Sequence, residues 1–184
     1  MHHPQKQALL LNDSLHYSRL STPIGSVLCA CSSTGIALLQ FADTFADEQI
    51  NSLSFEEPAS GLSLFMEIRS QLDAYFSASL FRFDLPVDLN GSDFQQQVWK
   101  LLRGIPYGTT ITYGQLANEL GSSSLTRAVA RAIATNPLLL LIPCHRVVGA
   151  GNKLTGYLGG VERKRWLIQH EEQHANSKKD GSLF

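Results

Sequence analysis

Cys144 stands between Pro143 and His145, directly after Leu138-Leu-Leu-Leu-Ile142. A cysteine attacks as its thiolate, so a reactive one needs a base, a cation or a helix N-terminus beside it. His145 and Arg146 supply the first two within two residues. On an extended segment adjacent side chains point to opposite sides, so His145 serves Cys144 only through a turn or a bridging water. A cysteine beside a histidine is equally often a buried, inert thiol. A polar His-Arg pair so soon after five apolar residues argues against that reading here.

The surrounding elements must hold this turn in place. Leu15–Leu20, Val27–Cys31 and Ile36–Phe41 read as strands. Thr22-Pro-Ile-Gly25 and Ser32-Ser-Thr-Gly35 form the turns between them. A short helix is expected over 44–53, and apolar residues at 64, 65, 68, 72, 75 and 76 predict another over 64–76. Phe81-Arg-Phe-Asp-Leu85 alternates as a strand and stops at Pro86, and Asn90-Gly-Ser-Asp93 is a turn with an N-cap candidate. From there the pattern is helical: Phe94–Arg103, then Tyr113–Leu120 behind Thr112, then Arg127 to about Ala134. The last two, with a glycine-containing turn between them, outline a helix-turn-helix. The second carries alanines where a major-groove reader has long polar side chains, which suits close approach to a groove with little base readout. Taken alone, the same composition describes a packed interior helix.

The net charge of −1 conceals an asymmetry. Residues 1–93 hold 4 Lys/Arg against 11 Asp/Glu, whereas residues 94–171 hold 9 against 3, so the half containing Cys144 carries +6. A basic half hints at a nucleic-acid partner. Three cysteines in 184 residues make no disulfide framework and indicate a reducing compartment, the cytoplasm by default. No apolar run spans a bilayer, and the start lacks the apolar core of a signal peptide, so no membrane role is expected.

Ile142-Pro-Cys-His-Arg-Val147, together with Arg127-Ala-Val129, Asn136-Pro137, Thr155-Gly-Tyr-Leu-Gly-Gly160 and Trp166-Leu-Ile-Gln-His-Glu171, resembles the O6-alkylguanine-DNA alkyltransferases, nearest the bacterial single-function type. The strong match covers roughly 92–172; over 15–90 it rests on pattern and the Thr22–Gly25 turn. The resemblance implies two domains. Residues 1–88 would form an α/β domain on a small antiparallel, RNase-H-like sheet, with a disordered tail at 1–14. Residues 89–174 would form a mostly helical, winged-helix-like domain with the helix-turn-helix and the alkyl acceptor. Residues 175–184 would be a flexible tail.

The resemblance also implies roles. Cys144 accepts the alkyl group, His145 acts as base through a water, Glu171 orients His145, and Asn136 is a hinge. Arg127 and Tyr113 extrude the damaged nucleotide, with Thr126 and Ala128 lining the minor-groove contact. Tyr157, Val147, Leu158 and Gly159 border the flipped base. Leu158 stands where some members have Ser, Thr126 where Ala is usual, and Ala130 where Gly is frequent. The implied activity is single-turnover, irreversible DNA repair on duplex DNA containing O6-alkylguanine, with O4-alkylthymine as a second candidate. It requires no cofactor, and the protein acts as a monomer open to cooperative assembly on DNA. Some members bind zinc, but the ligand set is not reproduced here; His2 and His3 with Cys29 or Cys31 are the weak alternative. Each role has a plainer counterpart: Glu171 as a solvated helix end, Tyr113 as a cap aromatic, Asn136 as a turn former. Two rival functions are distinct. A lesion-recognition protein without chemistry would lack Cys144, and a thiol hydrolase using Cys144 and His145 would turn over.

Overall fold

The near-continuous apolar runs Val27–Cys31 and Ile36–Phe41 need a sheet with two covered faces, and that is what they build. In the computed structural model, which describes residues 14–55 and 63–180, β1 (His16–Leu20), β2 (Val27–Cys31) and β3 (Ile36–Phe41) form an antiparallel sheet in the order β1-β2-β3. The row Tyr17, Ala30 and Leu38 is in register across it. With Leu28, these residues pack against Ala42, Phe45 and Ile50, the last from the short helix α1 (Asp47–Asn51). The opposite face of β2 lies near α2 (Ser63–Phe76), which buries Phe65, Ile68, Leu72 and Tyr75. Cys29 and Cys31 share one face as the alternation requires; both are buried free thiols, 4.0 Å apart.

The strand expected over 81–85 does not form. Instead the Gln71 side-chain amide takes the place of a neighbouring strand, accepting from the Asp84 N–H at 2.9 Å and donating to its carbonyl at 2.8 Å. Pro86 then contributes only its carbonyl, to the N–H of Ile36 at 2.9 Å, before a single bridge between Ile36 and Val87. Gly35 makes that approach feasible, since a Cβ there would lie 2.8 Å from the Pro86 and Val87 backbone.

The chain divides into two units, residues 1–89 and 90–184. The second unit opens with α3 (Asp93–Gly104), where the Ser92 hydroxyl and the Gln95 side chain form a reciprocal capping box. Thr112 and Gln115 cap α4 (Tyr113–Glu119) in the same way. A turn through Gly121 (φ +100°) leads to α5 (Thr126–Ala134), which packs against both α3 and α4. Trp99 of α3 is buried and donates its indole N–H to the Ala132 carbonyl at 3.0 Å, fixing α5 on α3. Two residues of β4 (Ile111–Thr112) pair in parallel with β5 (Val147–Val148), a contact absent from the sequence pattern. This pairing ties the stretch after Cys144 to the start of α4.

The long helix α6 (Val161–Asp180) runs past residue 174, so residues 175–180, expected as part of a flexible tail, are helical. No Gly or Pro interrupts the chain between Val161 and Gly181, so the helix has no stop signal before that glycine. The expected tail over 1–14 lies almost entirely outside the described residues, as do His2, His3 and 181–184. Among the described residues no helix is long and apolar enough to cross a membrane, and no group of three or more His, Cys, Asp or Glu is arranged to hold a metal.

The close approach at Gly35 generates a prediction. Gly35→Ala should destabilise the protein by about 1–3 kcal/mol, because the obstructing atoms are backbone and must move together. A lower urea midpoint with unchanged slope would bear this out; an unchanged midpoint would contradict it.

Candidate active site

The loop between α5 and β5 is built around one amide. Asn136 is fully buried, and its Oδ1 accepts the Leu138 N–H at 3.0 Å. Its Nδ2 donates to the Ile142 carbonyl at 2.9 Å and to the Cys144 sulfur at 3.1 Å. One side chain therefore closes the loop and supports the thiol. Leu138–Ile142 are buried, and Leu140 adopts φ +74°, an uncommon conformation for a residue with a Cβ. Pro143 (φ −78°, ψ 63°) forms an inverse γ-turn that brings the Cys144 N–H to the Ile142 carbonyl at 2.7 Å. The Arg146 N–H then bonds the Pro143 carbonyl at 3.0 Å. Cys144–Arg146 is thus a 3-10 turn, the first of the two arrangements the sequence left open, because these two bonds curl the backbone.

Glu171 of α6 anchors the other side. One carboxylate oxygen, Oε1, accepts from His145 Nε2 at 2.8 Å and Arg146 Nη2 at 3.0 Å. The other accepts from Arg146 Nε at 2.9 Å and the Gly108 N–H at 3.1 Å. Arg146 also donates to the Ile105 carbonyl at 2.6 Å. Burial pushes the Glu171 carboxyl up, but His145 and Arg146 outweigh it and hold the group well below the usual carboxylate range. An ionised carboxylate only accepts, so His145 must present Nε2–H to it, leaving Nδ1 with a free lone pair in the neutral ring. Nδ1 is buried with no hydrogen-bond partner among the described residues. Burial lowers the imidazole pKa against the opposing pull of Glu171, so the ring is neutral at pH 7.

Burial pushes the Cys144 thiol up to about 11, while the Asn136 hydrogen bond and the Lys164 charge act in the opposite direction. Around it stand two phenols. One is Tyr113, half-buried at the start of α4. Tyr157 meets the His145 ring edge-on at 6.4 Å between centroids, and its hydroxyl is buried without a partner among the described residues. Val147 and Gly159 are buried, and Leu158 is half-buried. The Gly159 carbonyl accepts from Arg163 at 3.0 Å. Together these residues offer a shielded nucleophilic sulfur, a neutral base with an available nitrogen, and aromatic walls suited to a flat, apolar-faced substrate.

Arg127 is exposed in the first turn of α5, followed by the half-buried Ala128. The Thr126 hydroxyl donates to the Ser123 carbonyl at 2.7 Å, stabilising the turn into that helix. The bonded network thus joins Cys144, His145, Asn136 and Glu171, while Arg127, Thr126 and Ala128 belong to the helix-turn-helix. Sequence reading did not find Gly108 or the Ile105 carbonyl, and it cast Arg146 as support for the thiolate rather than as the partner of Glu171. Gly108 left one signal, its place in Pro106-Tyr-Gly108. Its φ is +73° and a Cβ would strike the Ala175 side chain at 2.4 Å, so only glycine brings that N–H to the carboxylate.

The model of the 6-O-methylguanine DNA methyltransferase ribonuclease-like domain matches residues 15–89, and that of its DNA-binding domain matches 93–173. A methylated-DNA–protein-cysteine methyltransferase of Mycobacterium tuberculosis is 40% identical over 170 residues, covering 92% of this chain and 99% of that one. The crystal structure of Mycobacterium tuberculosis O6-methylguanine methyltransferase superposes with a TM-score of 0.77 at 39% identity, over 87% of this chain and 94% of that one. The structure of Mycobacterium tuberculosis OGT in complex with DNA gives 0.76 at 38% identity, over 86% and 94%. With both domain models matched in order and a relative aligned along nearly its whole length, the chain belongs to the 6-O-methylguanine DNA methyltransferase family.

Proposed function

We propose that this protein repairs DNA by moving the alkyl group of O6-alkylguanine onto Cys144, once per molecule. The observation that carries the reading is the buried thiol, held by Asn136 next to an imidazole whose Nε2 is locked to Glu171 and whose Nδ1 is available. The thiol proton passes to His145 Nδ1 through a water. The sulfur then attacks the alkyl carbon in line as the bond to O6 breaks. Guanine leaves with that electron pair and takes back a proton at a ring nitrogen. The product is a thioether, which no neighbouring group reverses, so the protein is consumed.

A base inside a duplex cannot present O6 to a protein sulfur, so the nucleotide must be extruded at a cost of a few kcal/mol. On this reading Arg127, exposed at the start of α5, occupies the vacated stack and Tyr113 crowds the flanking phosphate. Thr126 and the small Ala128 allow close minor-groove approach. Tyr157, Val147, Leu158 and Gly159 border the flipped base. On this reading the protein works on duplex DNA as a monomer, with neighbouring molecules able to assemble cooperatively. It works in the cytoplasm, where its thiols stay reduced, and O4-alkylthymine is a second substrate.

The direct test is a titration against duplex DNA containing O6-methylguanine. Repair should stop at one methyl group per protein molecule, and peptide mass analysis should find that group on Cys144. An unmodified Cys144 under saturating DNA would sink the proposal, and continued turnover would favour a hydrolase.

Arg127→Ala should slow transfer from the duplex about tenfold or more, because extrusion loses its stabilising side chain. Transfer from the free O6-methylguanine base should slow far less, and equal losses on both substrates would count against an extrusion role.

Glu171→Gln should cost about 3–5 kcal/mol of stability, since it leaves the buried Arg146 charge uncompensated. The sign with pH follows from the depressed Glu171 pKa: its contribution is present above the ordinary carboxylate range and is lost as pH falls through the folded value. The variant should therefore show a flatter acid limb in melting temperature against pH. A limb as steep as that of the wild type would place the titration elsewhere.

A further inference from the structure

Lys164 lies on α6 with no exposed surface, yet it carries a charged head with three donors to satisfy. Its Nζ donates to the Thr155 carbonyl at 2.7 Å and the Gly156 carbonyl at 3.3 Å, and sits 5.9 Å from the centre of the Tyr113 ring. Thr155-Gly156 leads directly into Tyr157, whose hydroxyl is buried. A buried cation therefore ties the loop before Tyr157 to the start of α4.

We propose that Lys164 is a positioning residue for alkyl transfer: its ammonium clamps residues 155–156 against Tyr113 and holds positive charge near the Cys144 sulfur as the thiolate forms. The inference rests on the function proposed above and adds a residue to it. Lys164 has no bond to the sulfur, so its influence runs through the field and through the segment it holds.

The charge environment supports this assignment. Burial raises the Cys144 thiol, and Lys164 is the cation that opposes it, after the Asn136 hydrogen bond. The other titratable groups facing Cys144 are Tyr113 of α4 and Tyr157 of the preceding loop, neither of them cationic. His145 adjoins Cys144 within the turn and is neutral, and Lys164 lowers its pKa further. Lys164 itself faces Cys144 and Tyr113. Burial brings its own pKa down to about 8, with Cys144 pulling it up, so it is charged at pH 7. Removing the charge should therefore raise the Cys144 pKa.

The test compares full-length wild type with Lys164→Met, Lys164→Gln and Lys164→Arg. Iodoacetamide labelling of Cys144 is followed against pH without DNA, with peptide mass analysis separating Cys144 from Cys29 and Cys31. Single-turnover methyl transfer from duplex DNA is measured alongside. In the neutral variants the labelling midpoint should move to higher pH by about one unit, so labelling at pH 7 falls roughly tenfold. Methyl transfer should fall in parallel, and Lys164→Arg should restore the midpoint. Should the methionine variant unfold, the glutamine variant, which keeps a donor for the Thr155 carbonyl, carries the same test. Slower transfer with an unmoved labelling midpoint in the neutral variants would mean a packing role and overturn the inference. A wild type that labels at Cys144 but accepts no methyl group would overturn the proposed function instead, while a shifted labelling midpoint would still support the effect of Lys164 on the sulfur.

Discussion

The second unit depends on a single buried carboxylate. Glu171 accepts four hydrogen bonds on two oxygens: two from Arg146, one from His145 and one from the Gly108 backbone. Each donor comes from a different part of the job. Arg146 fixes the end of the Cys144 turn, His145 is the imidazole beside that cysteine, and Gly108 anchors the loop between α3 and β4. Arg146 extends the tie to the Ile105 carbonyl at the end of α3. A lone buried carboxylate would be strongly disfavoured, and this one is held ionised because its acceptor capacity is filled, with a guanidinium fork providing two of the bonds. Its ionisation also decides the chemistry of His145, since an acceptor at Nε2 leaves the lone pair on Nδ1.

Asn136 plays the matching part on the other side of the sulfur. Its amide satisfies the Leu138 N–H and the Ile142 carbonyl, groups that a loop lined with leucine would otherwise bury unpaired. The same Nδ2 reaches Cys144. The loop also holds Leu140 in a left-handed conformation, which costs of order 1–3 kcal/mol and persists because four buried leucines and the Asn136 bonds determine the backbone around it. The short β4–β5 pairing then transmits this geometry to α4, because Thr112 is both a member of that pair and the cap of the helix carrying Tyr113.

Burying the nucleophile sets two demands against each other. A low-dielectric pocket protects the sulfur and excludes water, yet it raises the thiol pKa to about 11 and keeps it protonated at rest. On the proposed reading the thiolate is made when it is needed, by His145, whose own burial keeps it neutral and ready to accept. In the same proposal Asn136 and Lys164 ease that step without ionising the resting thiol. A sulfur of this kind suits a protein that is consumed by one reaction, since an exposed thiolate would react with other electrophiles first.

Much of the fold was legible locally. The strand over 16–20 follows from alternation and those over 27–31 and 36–41 from apolar runs bounded by turns, while the helices over 63–76, 93–104, 113–119 and 126–134 follow from apolar spacing and capping residues such as Ser92 and Thr112. Where local pattern misled, a distant group had intervened. The alternation of 81–85 met a glutamine side chain in place of a strand. The sequence by itself singled out Cys144 as the candidate chemical centre with His145 beside it, and family resemblance named Asn136 and Glu171 as its expected partners. Only the tertiary structure decided what those residues do to one another. The pairing of Arg146 and Gly108 with Glu171, and the burial of Lys164 beneath Tyr113, join residues remote in sequence. A lysine on a charged helix reads as solvated, and a glycine before two threonines reads as a turn. What makes them part of the site is the desolvation of α6 against the Cys144 loop, and desolvation is a property of packing that no local pattern encodes.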